Sequence, residues 1–175
     1  PAGEAKIYLE KAVCATDTIF VTEKLDGSCC SVFKKDGEIH ALVKNGRPAV
    51  GSKWQQHRLF AAWVEKNQVR FDAFLGDGEW CVGEWLAQAH GTRYDLTRRS
   101  PFVVFDRFFP DGTRWPFGKL FLETVKHGIT PVPILAIRHG PIPLEEALAK
   151  LGEYGEYGAL DLAEGVVYRR ECRNG

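Results

Sequence analysis

The sequence predicts an α+β fold of antiparallel sheets with a few covering helices, and three observations carry that expectation. Apolar runs of period two recur along most of the chain. Lys35, Asp36 and Gly37 fall between two such runs as a hairpin turn. Three other segments read as helices.

In chain order, the first expected strand is 18–22, the apolar run Thr18, Ile19, Phe20, Val21, Thr22. Strands over 28–34 and 38–44 flank the hairpin turn. Ser52 is the expected N-cap of a helix running to Lys66, whose apolar stripe is Leu59, Phe60, Trp63 and Val64. Strands follow at 79–86 and 102–108, then a helix over 119–127 stopped by Gly128. A strand at 131–137 and a helix over 144–151 ending at Gly152 come next. The glycine-rich stretch 152–158 reads as a flexible turn before a last strand at 165–169. No internal repeat or low-complexity linker interrupts this order.

A chain of 175 residues is long enough to form one domain with a real core. Hydrophobic residues at 45% and charged residues at 26% are ordinary globular values. Lys+Arg and Asp+Glu both number 23, so no overall basic field draws in nucleic acid, and any polyanion has to be met by local patches. Five Cys, with Cys29 and Cys30 adjacent but no Cys-x-x-Cys, indicate neither a disulfide framework nor a zinc site. Cys29 and Cys30 read as small strand residues rather than nucleophiles. A reducing cytoplasm is the expected setting. With no apolar run of membrane-spanning length and no leader, the chain is expected neither in a membrane nor secreted. It begins at Pro1 and contains no Met, so we expect residues to be missing from it.

The residue first suspected of chemistry is Lys24, in the order Glu23, Lys24, Leu25, Asp26, Gly27 at the end of the first strand. A lysine at a strand end, with a carboxylate two residues on and a glycine beside that, can be stripped of its proton and aimed at an electrophile. The order Lys, any residue, Asp, Gly resembles the nucleotidyl-acceptor motif of the covalent nucleotidyltransferases, the superfamily of polynucleotide ligases and mRNA capping enzymes. Three further stretches resemble later motifs of that superfamily in the right order. Val82, Gly83, Glu84, Trp85 and Leu86 are similar to a strand whose Glu contacts the nucleotide ribose. The run from Phe102 to Asp106 is similar to one whose aromatic, here Phe105, stacks on the base. Ala163, Glu164, Gly165, Val166, Val167 and Tyr168 are similar to the fourth motif, whose Glu serves the metal and the lysine.

Within the superfamily, DNA ligases and capping enzymes place an Arg two positions after the motif Gly. Here Gly27 is followed by Ser28 and Cys29, and the lead-in is Thr22, Glu23, Lys24. The chain therefore resembles the ATP-dependent RNA ligases of the bacteriophage and kinetoplastid editing type. That resemblance implies a nucleotidyltransferase (ligase adenylylation domain) fold, ATP with Mg²⁺ or Mn²⁺ as cofactors, and RNA ends, ahead of DNA ends, as substrates. It places Glu23, Lys24, Asp26, Gly27, Arg47, Glu84, Phe105 and Glu164 on the nucleotide, with Glu164 also at the metal. The stretch from Gly83 to Tyr94 also resembles a Gly-Glu-Trp-Leu to His to Tyr pattern of these ligases. Arg47, His90, Arg93, Tyr94, Arg98 and Arg99 are the candidate nucleic-acid contacts, the last four as a basic and aromatic cluster.

The chemistry explains these residue types. To attack an α-phosphate the lysine must be a neutral amine, whereas a free lysine has a pKa of about 10.4. Desolvation and a nearby divalent cation both favour the neutral form. In-line displacement then expels pyrophosphate and leaves lysine joined to the nucleoside monophosphate. Phe105 suits a core position as well as base stacking, and Arg47 suits a plain turn. A DNA ligase, a GTP-using capping enzyme, or a silent nucleotide- or RNA-binding module remain the alternatives. The superfamily's fifth motif, a strand with lysines that hold the α-phosphate, has no counterpart after Glu164. The expectation is thus a single nucleotidyltransferase domain over 1–175 that is truncated before that motif.

Overall fold

The computed structural model describes residues 16–172. Its elements are β1 (Thr18–Lys24), β2 (Ser28–Lys35), β3 (Glu38–Val43), α1 (Gln55–Lys66), α2 (Gln68–Phe74), β4 (Trp80–Trp85), β5 (Phe102–Phe108), α3 (Phe117–Lys126), β6 (Ile134–His139), α4 (Leu144–Leu151) and β7 (Gly165–Glu171). They fall into two compact units. The first holds the described residues up to Leu25, Thr92–Asp95 and those from Val132 onward; the second holds Asp26–Gly91 and Leu96–Pro131. The α+β class expected from sequence is the observed one, and every strand pair within the sheets is antiparallel.

In the first unit β1 is the central strand of a three-stranded sheet ordered β6-β1-β7. A strand covered on both faces carries a continuous apolar run rather than an alternation, and Ile19, Phe20 and Val21 are all buried. Ile19 and Val21 form a core with Ile142 and Ala147, which places α4 under one face of the sheet. The register against β7 is unbroken from Thr18 opposite Glu171 to Lys24 opposite Gly165. Against β6 it slips between Val21 and Thr22.

The stretch 152–158 is not the loose turn expected from its glycines. It forms a run of turns in which Gly152, Gly155 and Gly158 have positive φ, and the backbone N–H groups of Glu156 and Tyr157 donate to one carboxylate oxygen of Glu23, each at 2.9 Å. Gly155 sits against that carboxylate so closely that a Cβ there would collide with it.

The second unit is built on a four-stranded sheet ordered β3-β2-β4-β5. The hairpin turn between β2 and β3 has Asp36 at φ 52° and Gly37 at φ 78°, the two positive values of a type I′ turn. Helices α1 and α2 close one face through tilted and edge-on aromatic contacts. Phe60 lies 4.9 Å from Phe102 and 5.3 Å from Trp85 between ring centroids, and Trp63 lies 5.9 Å from both Trp85 and Phe71. Gly83 admits the Phe102 ring, since a Cβ there would lie 2.7 Å from its Cζ. Beyond the far end of α2, Glu79 pairs with the buried Arg107 and also accepts from Trp115 Nε1 at 3.1 Å and from Gly76 N at 2.7 Å, while Arg107 Nε has no hydrogen-bond partner among the described residues.

Helix α1 starts two residues later than expected, because Trp54 and not Ser52 is at its N-cap. The Ser52 hydroxyl accepts the Trp54 N–H at 3.2 Å and bonds His57 Nδ1 at 2.7 Å, which closes a local turn instead. Leu59, expected in the apolar stripe, is 51% exposed; the buried face is Phe60 and Val64 with Trp63 beside them. Helix α2 was not expected at all. The strand expected from 131 begins at Ile134, since Pro131 and Pro133 have no N–H to give to a ladder. No helix of the described residues is long and apolar enough to cross a membrane.

Two stability contrasts follow. Phe60→Ala is expected to cost about 3–5 kcal/mol in urea unfolding, while Leu59→Ala costs under about 0.5 kcal/mol. Both Gly152 and Gly155 have positive φ, so Ala at either should cost about 1–3 kcal/mol. Only Gly155→Ala also strikes Glu23, and its melting temperature should fall clearly below that of Gly152→Ala.

Candidate functional site

Lys24 and Glu164 both belong to the first unit, 140 residues apart in sequence. The β1–β7 register opposes Lys24 to Gly165, so Glu164 is the residue just before the facing strand begins. The two side chains form an ion pair, with Lys24 46% and Glu164 37% exposed at the side chain. The pair therefore faces solvent, within reach of an incoming ligand. Period-two geometry sends the preceding side chain to the opposite face, where Glu23 is 2% exposed. Its carboxylate is taken up by the Glu156 and Tyr157 amides. Glu23 is thus placed as a buried carboxylate that fixes the strand end carrying Lys24.

Glu164 is delivered by a loop with its own fastening. The guanidinium of Arg93 donates to both carboxylate oxygens of Asp161, at 2.9 Å and 2.8 Å, and the Arg93 N–H adds a third bond at 2.9 Å. Leu160 N–H returns to Arg93 O at 2.8 Å, and the Thr92 hydroxyl donates to Leu162 O at 3.2 Å. These bonds lower the Asp161 carboxyl from its ordinary 3.8 to about 2, with the Arg93 side-chain bond the largest cause. Tyr94 makes a bridge to Ala159 and is only 9% exposed. Of the expected basic and aromatic candidates, Tyr94 is nearly buried, Arg93 pairs with Asp161, and Arg98 and Arg99 are exposed.

The remaining candidates lie in the second unit. Gly27 N–H donates to Glu84 at 3.1 Å, and a Cβ on Gly27 would collide with the carbonyl of Trp85. A glycine is required there by space alone. Asp26 accepts the Gly91 N–H at 2.6 Å, which ties the motif to the loop after β4. His90, in that loop, is exposed and its Nε2 lies 2.9 Å from the Ser28 hydroxyl. Phe105 has no partner in the β4–β5 ladder, because the register passes from Val82 opposite Asp106 to Gly83 opposite Val104. This bulge turns Phe105 out of the strand's regular alternation and leaves it half-buried, unlike Phe102. Arg47 is exposed in the tight loop after β3, where its carbonyl accepts from Val43 N at 2.9 Å.

Burial raises Cys29 and pushes Cys30 up to about 12, so neither thiol is a ready nucleophile. Among the described residues no three His, Cys, Asp or Glu side chains gather into a metal cage. Glu164 can still offer one carboxylate oxygen to a hard cation, which suits Mg²⁺ or Mn²⁺, since Mg²⁺ keeps several waters and takes one or two carboxylates with phosphate oxygens. Sequence reasoning missed Asp161, Gly91 and Gly155. None sits in a periodic pattern, and each acts through a partner far away in sequence.

The Arg93–Asp161 clasp has a testable acid signature. A carboxyl lowered in the folded protein contributes stability above about 3.8 and loses it as pH falls toward about 2. Asp161→Asn should therefore be less stable than wild type at neutral pH by a margin that closes between pH 4 and pH 2, read by urea unfolding.

Comparison with known proteins places these observations in a family. No curated protein matches the chain in sequence. Among solved structures, the chain is similar to RNA ligase from Naegleria gruberi. A mutant with ATP and Mn superposes with a TM-score of 0.70 at 18% identity over 96% of this chain and 49% of that one. The form with PPi gives 0.70 at the same identity and coverage. A mutant with AMP and Mn gives 0.65 at 18% identity over 89% of this chain and 47% of that one. At such identities the likeness establishes a shared fold, and the chain spans about half the length of those ligases. Residues 17–174 match the RNA ligase family itself, nearly the whole chain, and on that match this chain belongs to the RNA ligase family.

Proposed function

We propose that this chain carries the adenylylation chemistry of an ATP-dependent RNA ligase, with Lys24 as the residue that takes up AMP. The carrying observation is the exposed Lys24 at the end of β1, ion-paired with the Glu164 that precedes the facing strand. In this reading the Lys24 amine attacks the α-phosphate of ATP. An N–P bond forms, the bond to the bridging oxygen breaks, pyrophosphate leaves and the amine gives up its proton. AMP then passes to a 5′-phosphate RNA end, and a 3′-OH displaces it to seal the strand.

An ammonium has no lone pair, so Lys24 attacks only after its proton has passed to the Glu164 carboxylate or to solvent. A divalent cation, when bound, supplies charge neutralisation on the phosphates and gives Glu164 another partner. Glu164 can serve both functions because its only described bond is to a side chain on an exposed strand end. From the family resemblance, Glu84 contacts the ribose, Phe105 the base, and Arg47 the nucleotide. Support for the nucleotide comes from the Naegleria gruberi ligase structures, which hold ATP and Mn, PPi, or AMP and Mn. The free thiols of Cys29, Cys30, Cys81 and Cys172 fit a cytoplasmic setting.

Incubation with α-³²P-labelled ATP and Mg²⁺, followed by a denaturing gel, tests the proposal on this chain and on one extended past Gly175. We expect an acid-labile adduct with ATP, abolished in Lys24→Ala and by chelation of the metal. Glu164→Ala should slow its formation by about 10²- to 10³-fold, roughly 3–4 kcal/mol. Labelling by GTP instead of ATP would move the chain to capping chemistry, and no adduct from either chain would mark a silent binding module.

A further inference from the structure

Charge in the second unit is not evenly spread. Between Lys44 and Arg58 the sequence carries Lys44, Arg47, Lys53 and Arg58 and no Asp or Glu, in a chain whose 23 cations are balanced by 23 anions. All four are exposed, and among the described residues none of them makes an ion pair. The same segment presents Trp54, 58% exposed although it is the N-cap of α1, with the Lys53 ammonium 5.1 Å from its ring centroid. Trp54 thus presents a large ring face to solvent beside cations that make no ion pair among the described residues. Beside it lies a groove of about 490 Å³ lined by Leu42, Pro48, Val50 and Arg58 among others, a size that suits a nucleotide.

We propose that the segment 44–58 is a docking surface for a single-stranded stretch of the RNA substrate, with a base stacked on Trp54 and phosphates on the flanking cations. This assignment rests on the RNA ligase reading for the identity of its ligand. Alternating cations and an exposed π-face are what single-strand binding requires, because phosphates supply the charge and every base offers a ring. The surface is also tied to the motif strand of its own unit. Gln56, in the first turn of α1, accepts the Ser28 hydroxyl at 3.1 Å, and Ser28 directly follows Gly27. Arg58 is held in place by donating to Ser52 O at 2.7 Å. A strand lying here would be registered against the residues that follow Lys24 in sequence.

The test is fluorescence anisotropy of a short fluorescein-labelled single-stranded oligoribonucleotide titrated with the chain between about 50 and 200 mM salt. Trp54→Ala should weaken binding at least about fivefold, and Trp54→Phe should restore most of it. Lys53→Gln with Arg58→Gln should lower the slope of log K against log salt by about 1.4, whereas Lys35→Gln with Lys150→Gln should leave it unchanged. Circular dichroism melts check that the variants are folded. Unchanged affinity in Trp54→Ala and in the double cation variant would overturn the proposal, as would an equal loss in the Lys35 and Lys150 pair. Adduct formation by the wild-type chain with ATP is scored separately. A chain that binds RNA through Trp54 but forms no adduct would overturn the ligase reading and keep the docking surface.

Discussion

The constraint on which the first unit's chemistry depends is the register between β1 and β7. Side chains alternate along a strand, so a slip of one residue would send Lys24 inward and Glu23 out to solvent. The ladder prevents this in two ways. It runs unbroken from Thr18 to Lys24 on the β7 side, and Glu23 locks its inward position by accepting two amides from a glycine-rich turn. The irregularity in β1 is confined to the other edge, where the pairing with β6 slips between Val21 and Thr22. The strand can thus bend at its outer neighbour while the Lys24–Gly165 pairing is preserved.

The same economy of means recurs at the other motif positions. Asp26 accepts the Gly91 amide and Glu84 accepts the Gly27 amide, so each of these carboxylates fixes a backbone segment. Charge-assisted bonds to amides are stronger than neutral ones. Glycine is needed where these contacts are tightest, at Gly27 for lack of room and at Gly155 for both room and a positive φ. The loop before Glu164 depends instead on a side-chain clasp, Arg93 with Asp161, reinforced by main-chain bonds on both sides.

Much of this was legible in the sequence, and what was not has a physical explanation. Strands β1 to β5 and β7 were visible because burial follows the two-residue period or a continuous apolar run. Asp36 and Gly37 announced their turn because few other residues adopt two successive positive φ values. Lys24, Gly27, Glu84 and Glu164 were legible as an ordered set of short motifs. Helix α2 was not, since its seven residues follow α1 across a single Asn67 whose side chain caps back onto Trp63 O. The inward face taken by Glu23 was not legible, because proximity in sequence to Lys24 says nothing about which face a side chain takes. The contacts of Arg93 with Asp161 and of Tyr94 with Ala159 were not legible because those partners lie far along the chain.

Four of the five acidic residues of the motifs, Glu23, Asp26, Glu84 and Glu164, are thereby divided by what they are bonded to. Glu23, Asp26 and Glu84 each hold a backbone amide, and moving any of them would release a segment of main chain into an unsatisfied state. Glu164 holds only a lysine side chain, on a half-exposed surface where both partners can be resolvated. Exchanging its partner disturbs no backbone and costs little, because exposed ion pairs contribute only about 0–1 kcal/mol. A carboxylate that must pass between a lysine and a cation during a reaction has to be the one the fold does not need. Among these four, that description fits Glu164 alone.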